Sequence, residues 1–313
     1  MDFTTLRIVF MGTPDFAVAS LQKLHESGCH IVGVVTAPDK PAGRGMNLQE
    51  TAVKKYAMQH GLTLLQPEKL KNPSFIDELK SLQADLQVVV AFRMLPEIVW
   101  NMPPMGTLNL HGSLLPQYRG AAPINWAIIN GEKYTGVTTF KLKHEIDTGD
   151  ILLAEKIIIE EDETAGSLHD KMKLVGATLL LKTIQQMATN DMMEIAQDNY
   201  MNETIVLKHA PKIYTETCRI DWNRNIDEVY NQVRGLSPYP AAFTELNNKK
   251  LKIFSVDREQ TTPTIEPGAY ETDFRNYLKF ACTNGYLQIN DLQLEGKKRM
   301  KIRDFLSGFR FRD

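Results

Sequence analysis

Cysteine is scarce: Cys29, Cys218 and Cys282 are scattered through 313 residues and none belongs to a C-x-x-C pair. That spacing excludes a disulfide framework or a zinc knuckle and leaves three thiols to serve as small core residues. The seven histidines show no H-E-x-x-H or comparable short spacing, so no metal is expected. No apolar run approaches the roughly 18 residues that a membrane span needs. The opening "MDFTTLRIVFMG" carries Asp2 where a signal peptide would be positive. A cytoplasmic chain with no membrane partner is the expectation. Two further absences narrow the chemistry. Gly12-Thr13-Pro14-Asp15-Phe16 lacks the later glycines of G-x-G-x-x-G, which argues against a nicotinamide dinucleotide. Ser113 has no G-x-S-x-G elbow around it, so no serine nucleophile is indicated.

What is present is an ordinary globular composition, 43% hydrophobic and 24% charged, long enough for two domains. The net charge of -2 is unevenly spread: residues 1–200 are net acidic and 201–313 net basic. Lys297, Lys298, Arg299, Lys301, Arg303, Arg310 and Arg312 crowd the end against two aspartates. Such a tail can neutralise phosphates. It can equally be a solvated face.

The first 140 residues alternate short β-branched runs with helix-length amphipathic segments, the pattern of a doubly wound, mostly parallel, Rossmann-like α/β sheet. Strands are expected at 6–11, 31–36, 86–92, 106–111 and 136–142, with Phe16, Leu21 and Leu24 forming the apolar face of a helix closed by Gly28. A long helix over 164–188 ends this domain, taken as 1–189. Polar residues 190–207 read as a linker. From 208 to 313 short strand-like runs, "LKIFSV", "LKFACT" and "YLQINDLQL", predict a smaller β-barrel domain of OB-like type.

The chemistry concentrates in "NLHGSLLPQYRGAAP". Asn109 and His111 are two apart at the end of a predicted strand, so they share one face. In a doubly wound sheet that end is where ligands bind. Asp147 and Asp150 flank Thr148-Gly149 in a tight loop that can reach the same end. An amide, an imidazole and a carboxylate together suit acyl transfer without a covalent intermediate, stabilising an oxyanion. N-x-H alone also occurs as a satisfied structural pair. Trp222, Tyr239 and Phe243 read as core residues.

The longer string "NLHGSLLPQYRGAAPINWAI", followed by "IDTGDIL", resembles the folate-dependent formyltransferase family. The resemblance implies that Asn109, His111 and Asp147 are catalytic and that Ser113, Leu114, Leu115 and Pro116 lie against the folate. "APDKPAGRG", "APKIYTETCRIDWNRNIDEVYNQVRGLSPYPAAFT" and "LQLEGKKRMKIRDFLSG" resemble the branch of that family that formylates methionyl initiator tRNA. It implies 10-formyltetrahydrofolate as formyl donor, no metal, and a monomer. It also implies tRNA contacts from Lys40, Arg44, Lys297, Lys298 and Arg299. One stretch, in a loop that the resemblance assigns to the pterin pocket of the folate site, departs from the pattern: relatives run VVAYG-x-x-LP, whereas this chain has "VVVAFRMLPE", one residue shorter, without the glycine and with Arg93. Formyl transfer to a sugar-nucleotide amine and noncatalytic RNA binding are the competing readings. A glycinamide ribonucleotide enzyme would stop near residue 200.

Overall fold

A computed structural model describes residues 2–42, 47–200 and 206–309. The chain divides into two compact units. The first comprises Met1–Arg119, Gly136–Ile157 and His169–Lys208, and the second Gly120–Thr135, Ile158–Leu168 and His209–Asp313. Each compact unit thus draws on more than one stretch of the sequence. Residues 190–200 stay with the first unit, where Ile195 bridges Ile151 by a pair of backbone hydrogen bonds.

The first unit is built on strands β1 Arg7–Gly12, β2 His30–Val35, β3 Leu64–Leu65, β4 Leu86–Val90, β5 Thr107–His111, β6 Tyr134–Lys141 and β7 Ile151–Ile158. Across the sheet they run β7-β6-β5-β4-β1-β2-β3. β1 pairs in parallel with β2 and β4, β2 with β3, and β4 with β5, whereas β6 runs antiparallel to β5. The winding leaves β1 in one direction and resumes on its other side at β4. That reversal opens a crevice at the carboxyl ends of β1 and β4, the usual ligand position of doubly wound sheets.

Helices cover this sheet because their apolar residues recur on one face. Asp15–Glu26 buries Phe16, Ala17, Ser20, Leu21 and Leu24, and Gly28 follows it at φ 81°. Its first turn lies close to β1, since a Cβ on Gly12 would sit 2.6 Å from Ala17 Cβ. Helix Ala165–Ala188 matches the predicted 164–188. Among the described residues no helix is long and apolar enough to cross a membrane.

The second unit carries an antiparallel sheet of β8 Ala242–Leu246, β9 Lys249–Glu259, β10 Tyr270–Thr272, β11 Leu278–Ala281, β12 Tyr286–Leu294 and β13 Met300–Lys301. Its order is β8-β9-β12-β11-β10, with β13 added on β12. One face packs on helix Ile226–Leu236 through Val229, Val233, Leu251, Ile253 and Leu287. Asn225 and Glu228 cap that helix reciprocally, a device that contributes about 1 kcal/mol. Trp222 is buried, stacked on Phe280 at 4.8 Å, and its Nε1–H donates to Thr244 Oγ1. Phe243 is buried beneath Lys250. Tyr239, expected in the core, is 82% exposed. It lies between Pro238 and Pro240, where an aromatic has no strand period to bury it.

Candidate active site

Asn109 and His111 stand on β5 with side chains on one face. Across the antiparallel register they oppose Phe140 and Thr138 of β6. Asn109 is half-buried and His111 is 7% exposed. The Phe140 ring lies edge-on to the imidazole at 6.5 Å. His111 Nε2 is 2.9 Å from the carbonyl oxygen of Tyr118. A carbonyl only accepts, so Nε2 carries the proton and donates. Nδ1 is then the nitrogen turned toward the Asp147 carboxylate, 3.9 Å from its Oδ2.

At that distance the pair is not a hydrogen bond. Its interaction is Coulombic, about 4 kcal/mol for unit charges at an effective dielectric near 20, before desolvation. Asp147 belongs to the loop between β6 and β7 and has a left-handed backbone, φ 54°. Two residues on, Gly149 is required by contact: a Cβ there would overlap the Lys141 carbonyl oxygen. The loop is further held by Thr148 Oγ1 donating to Glu145 O and by Lys143 on Asp150. The structure therefore sets Asp147 beside His111, with Asn109 two residues away on the same face of β5.

The four residues from Ser113 to Pro116 are placed differently. Ser113 is fully buried and its hydroxyl donates to Gln117 O at 2.6 Å. Its own carbonyl accepts from Thr138 Oγ1, which in turn accepts from the Leu115 N–H. Leu115 packs with Phe140 and Ile151. Pro116 is also buried, so Leu114 alone of the four keeps a partly exposed side chain.

A cavity of about 650 Å³ opens at the β1–β4 crevice, lined by Thr13, Pro14, Pro38, Lys40, Ala91 and Arg93, among others. Arg93, the departure noted in the sequence, takes a definite place: its guanidinium donates to the carbonyls of Pro67 and Glu68 and lies 5.5 Å over the Phe92 ring. Its Nε is buried without a hydrogen-bond partner. Desolvation pulls its pKa below the ordinary value. Lys40 is exposed at the cavity edge, on a short ladder of Lys40–Ala42 with Asn47–Gln49. Asp39, beside it, is bound by Lys54 and Gln66. The tRNA assignment of Arg44 falls outside the described residues.

In the second unit Lys297 and Lys298 are exposed. Arg299 is committed: it grips Asp291 through two 2.9 Å bonds and covers Phe254. Two residues at the site gave no signal in the sequence. Tyr118 acts through its carbonyl, which residue type does not reveal. Gln197, in the segment read as linker, bonds to the Asp147 loop and to Arg119. Among the described residues no group of three His, Cys, Asp or Glu is arranged for a metal.

The description "Formyl transferase" matches residues 6–184, and "Formyl transferase, C-terminal domain" matches 212–310. A methionyl-tRNA formyltransferase of Parabacteroides distasonis is 52% identical over 311 residues, covering 97% of this chain and 96% of that protein. Two solved structures share the fold. An N-formyltransferase from Helicobacter canadensis, in complex with folinic acid and dTDP-3-aminofucose, is 20% identical with TM-score 0.65, over 95% of this chain and 100% of that one. HypX from Aquifex aeolicus, in complex with tetrahydrofolic acid, is 17% identical with TM-score 0.66, over 98% of this chain and 48% of that one.

Proposed function

Starting from a chain that belongs to the formyl transferase family, we infer that it moves the formyl group of 10-formyltetrahydrofolate to the α-amino group of methionyl initiator tRNA. The observation that carries the chemistry is the placement of Asn109 and His111 on one face of β5, with the Asp147 carboxylate 3.9 Å from the imidazole. Near-full-length identity of 52% to a methionyl-tRNA formyltransferase supports the acceptor.

The donor supplies a one-carbon acyl group at the amide oxidation level. A free α-amino group titrates near pH 8, roughly, so a usable fraction is already nucleophilic at neutral pH. The difficult part is charge. As the amine nitrogen bonds to the formyl carbon, the carbonyl oxygen becomes negative, and the Asn109 amide N–H donates to it. His111 works through Nδ1, because Nε2 is held by Tyr118 O. Nδ1 takes the proton that the attacking amine sheds, and the Asp147 carboxylate stabilises the positive imidazole. The same proton goes to the departing folate nitrogen as its bond to carbon breaks, which balances the reaction.

The cavity joins two assignments made from sequence. Ala91 and Arg93 belong to the loop assigned to folate, Lys40 to the loop assigned to tRNA, and all three line one concavity. Its size is within the range of small-ligand pockets. Its lining carries both signs of charge, Lys40 and Arg93 beside Asp39 and Glu68. Incubation with formyl-labelled donor and charged initiator tRNA tests the reading. N-formylmethionine released on deacylation is the expected product, and label remaining wholly on folate would refute it.

A further inference from the structure

We propose that Gln197 is a positioning residue that sets Asp147 against His111. This rests on the reading above, in which Asp147 acts on the imidazole.

Gln197 is 2% exposed and its side chain uses both ends. Nε2–H donates to the carbonyl of Asp147 and to the carbonyl of Gly149, each at 2.8 Å. Oε1 accepts from Arg119 Nε at 3.0 Å and from Nη2 at 2.6 Å. Arg119 directly follows Tyr118, whose carbonyl fixes His111 Nε2. One buried amide therefore ties the side chain of the residue next to the histidine's anchor to the backbone of the carboxylate's loop.

The placement matters because a single side chain joins the two loops. His111 and Asp147 do not hydrogen-bond, so their 3.9 Å separation has to be imposed from outside the pair. Asp147 also sits at φ 54°, a conformation a non-glycine residue leaves readily unless it is held. Two donors from Gln197 hold the carbonyls on either side of Thr148. A buried amide with all these bonds made is costly to replace and keeps one geometry. The segment 190–200 thus carries a part of the site although it contributes no group that meets substrate.

The chemistry distinguishes Gln197 from a generic filler. Only an amide has both the N–H donors for two carbonyls and the acceptor for a guanidinium. Glutamate has the same shape and binds Arg119 more strongly, but ionised it presents oxygen to both carbonyls. Methionine fills the space and makes neither contact.

The test is a double-mutant cycle on formyl transfer to methionyl-tRNA, with kcat and both KM values measured for Gln197→Met, Gln197→Glu, Asp147→Asn and the two combinations. We expect each Gln197 variant to lose ten- to a hundredfold in kcat with both KM values within about twofold of wild type. In the Asp147→Asn background the same substitutions should add less than about threefold, because residues acting through one group are not additive. Fully additive losses, a loss confined to KM, or wild-type kcat in Gln197→Glu would each overturn the proposal. Should Gln197→Met not accumulate as folded protein, the isosteric Gln197→Glu carries the cycle. If Asp147→Asn alone turns over like wild type, the reading of Asp147 fails and the proposal with it. If Asp147→Asn is impaired and the Gln197 variants are not, only the proposal fails.

Discussion

Asn109 is the residue whose removal isolates the oxyanion contribution, because it is half-buried and its backbone stays paired to Val89 and Phe140. Asn109→Ala should lower kcat on the order of a hundred- to a thousandfold while the thermal midpoint moves little. Near-normal turnover would remove Asn109 from the chemistry. Ser113 poses the opposite case. Its hydroxyl is buried on Gln117 O, so Ser113→Ala should cost about 1 kcal/mol of stability and leave the folate KM within twofold. A tenfold rise in that KM would mean that the hydroxyl meets the ligand after all. At this scale the sequence was informative about type and spacing and silent about direction. N-x-H on a strand fixes which face two side chains share. It does not say that Nε2 is taken by a carbonyl seven residues on, or that three of the four residues from Ser113 to Pro116 turn inward.

At the scale of elements, the loop between β6 and β7 decides whether a carboxylate is present at the site. Gly149→Ala should displace that loop, since the added methyl cannot coexist with the Lys141 carbonyl where it stands. We expect loss of activity comparable to Asp147→Asn, with secondary structure by circular dichroism retained. Full activity would show that the loop is free to rearrange. Strands β1, β2 and β4 were legible because buried parallel strands read as nearly unbroken apolar runs, and helix Ala165–Ala188 because its apolar positions repeat near 3.6. β3 was not, being two residues long and defined only by its partner β2. The segment 190–200 was not legible either. Its polar residues make tertiary hydrogen bonds, which leave no periodic trace.

For the molecule as a whole, each unit has its own core, and the second has a pH-sensitive ion pair. Its acid is Asp291. Burial alone would raise its pKa, but hydrogen bonds from Arg299 and Lys301 outweigh that and hold the carboxyl below its usual range. A depressed carboxyl contributes stability above its unfolded value, near 4, and loses it as pH falls through the folded value. Thermal melts from pH 7 to pH 3 should therefore fall more steeply for wild type than for Asp291→Asn, which at pH 7 is already about 1–3 kcal/mol less stable. Parallel curves would contradict the assignment. Residues 120–135 and 158–168 join the second unit from within the first stretch of sequence.

The account stands or falls most directly on the acceptor. Purified protein given labelled 10-formyltetrahydrofolate with charged initiator tRNA and a dTDP-amino-sugar in the same vessel should formylate the tRNA, with kcat/KM at least a thousandfold higher than for the sugar. Formyl transfer to the sugar nucleotide at a comparable or higher kcat/KM, or to neither, would contradict it.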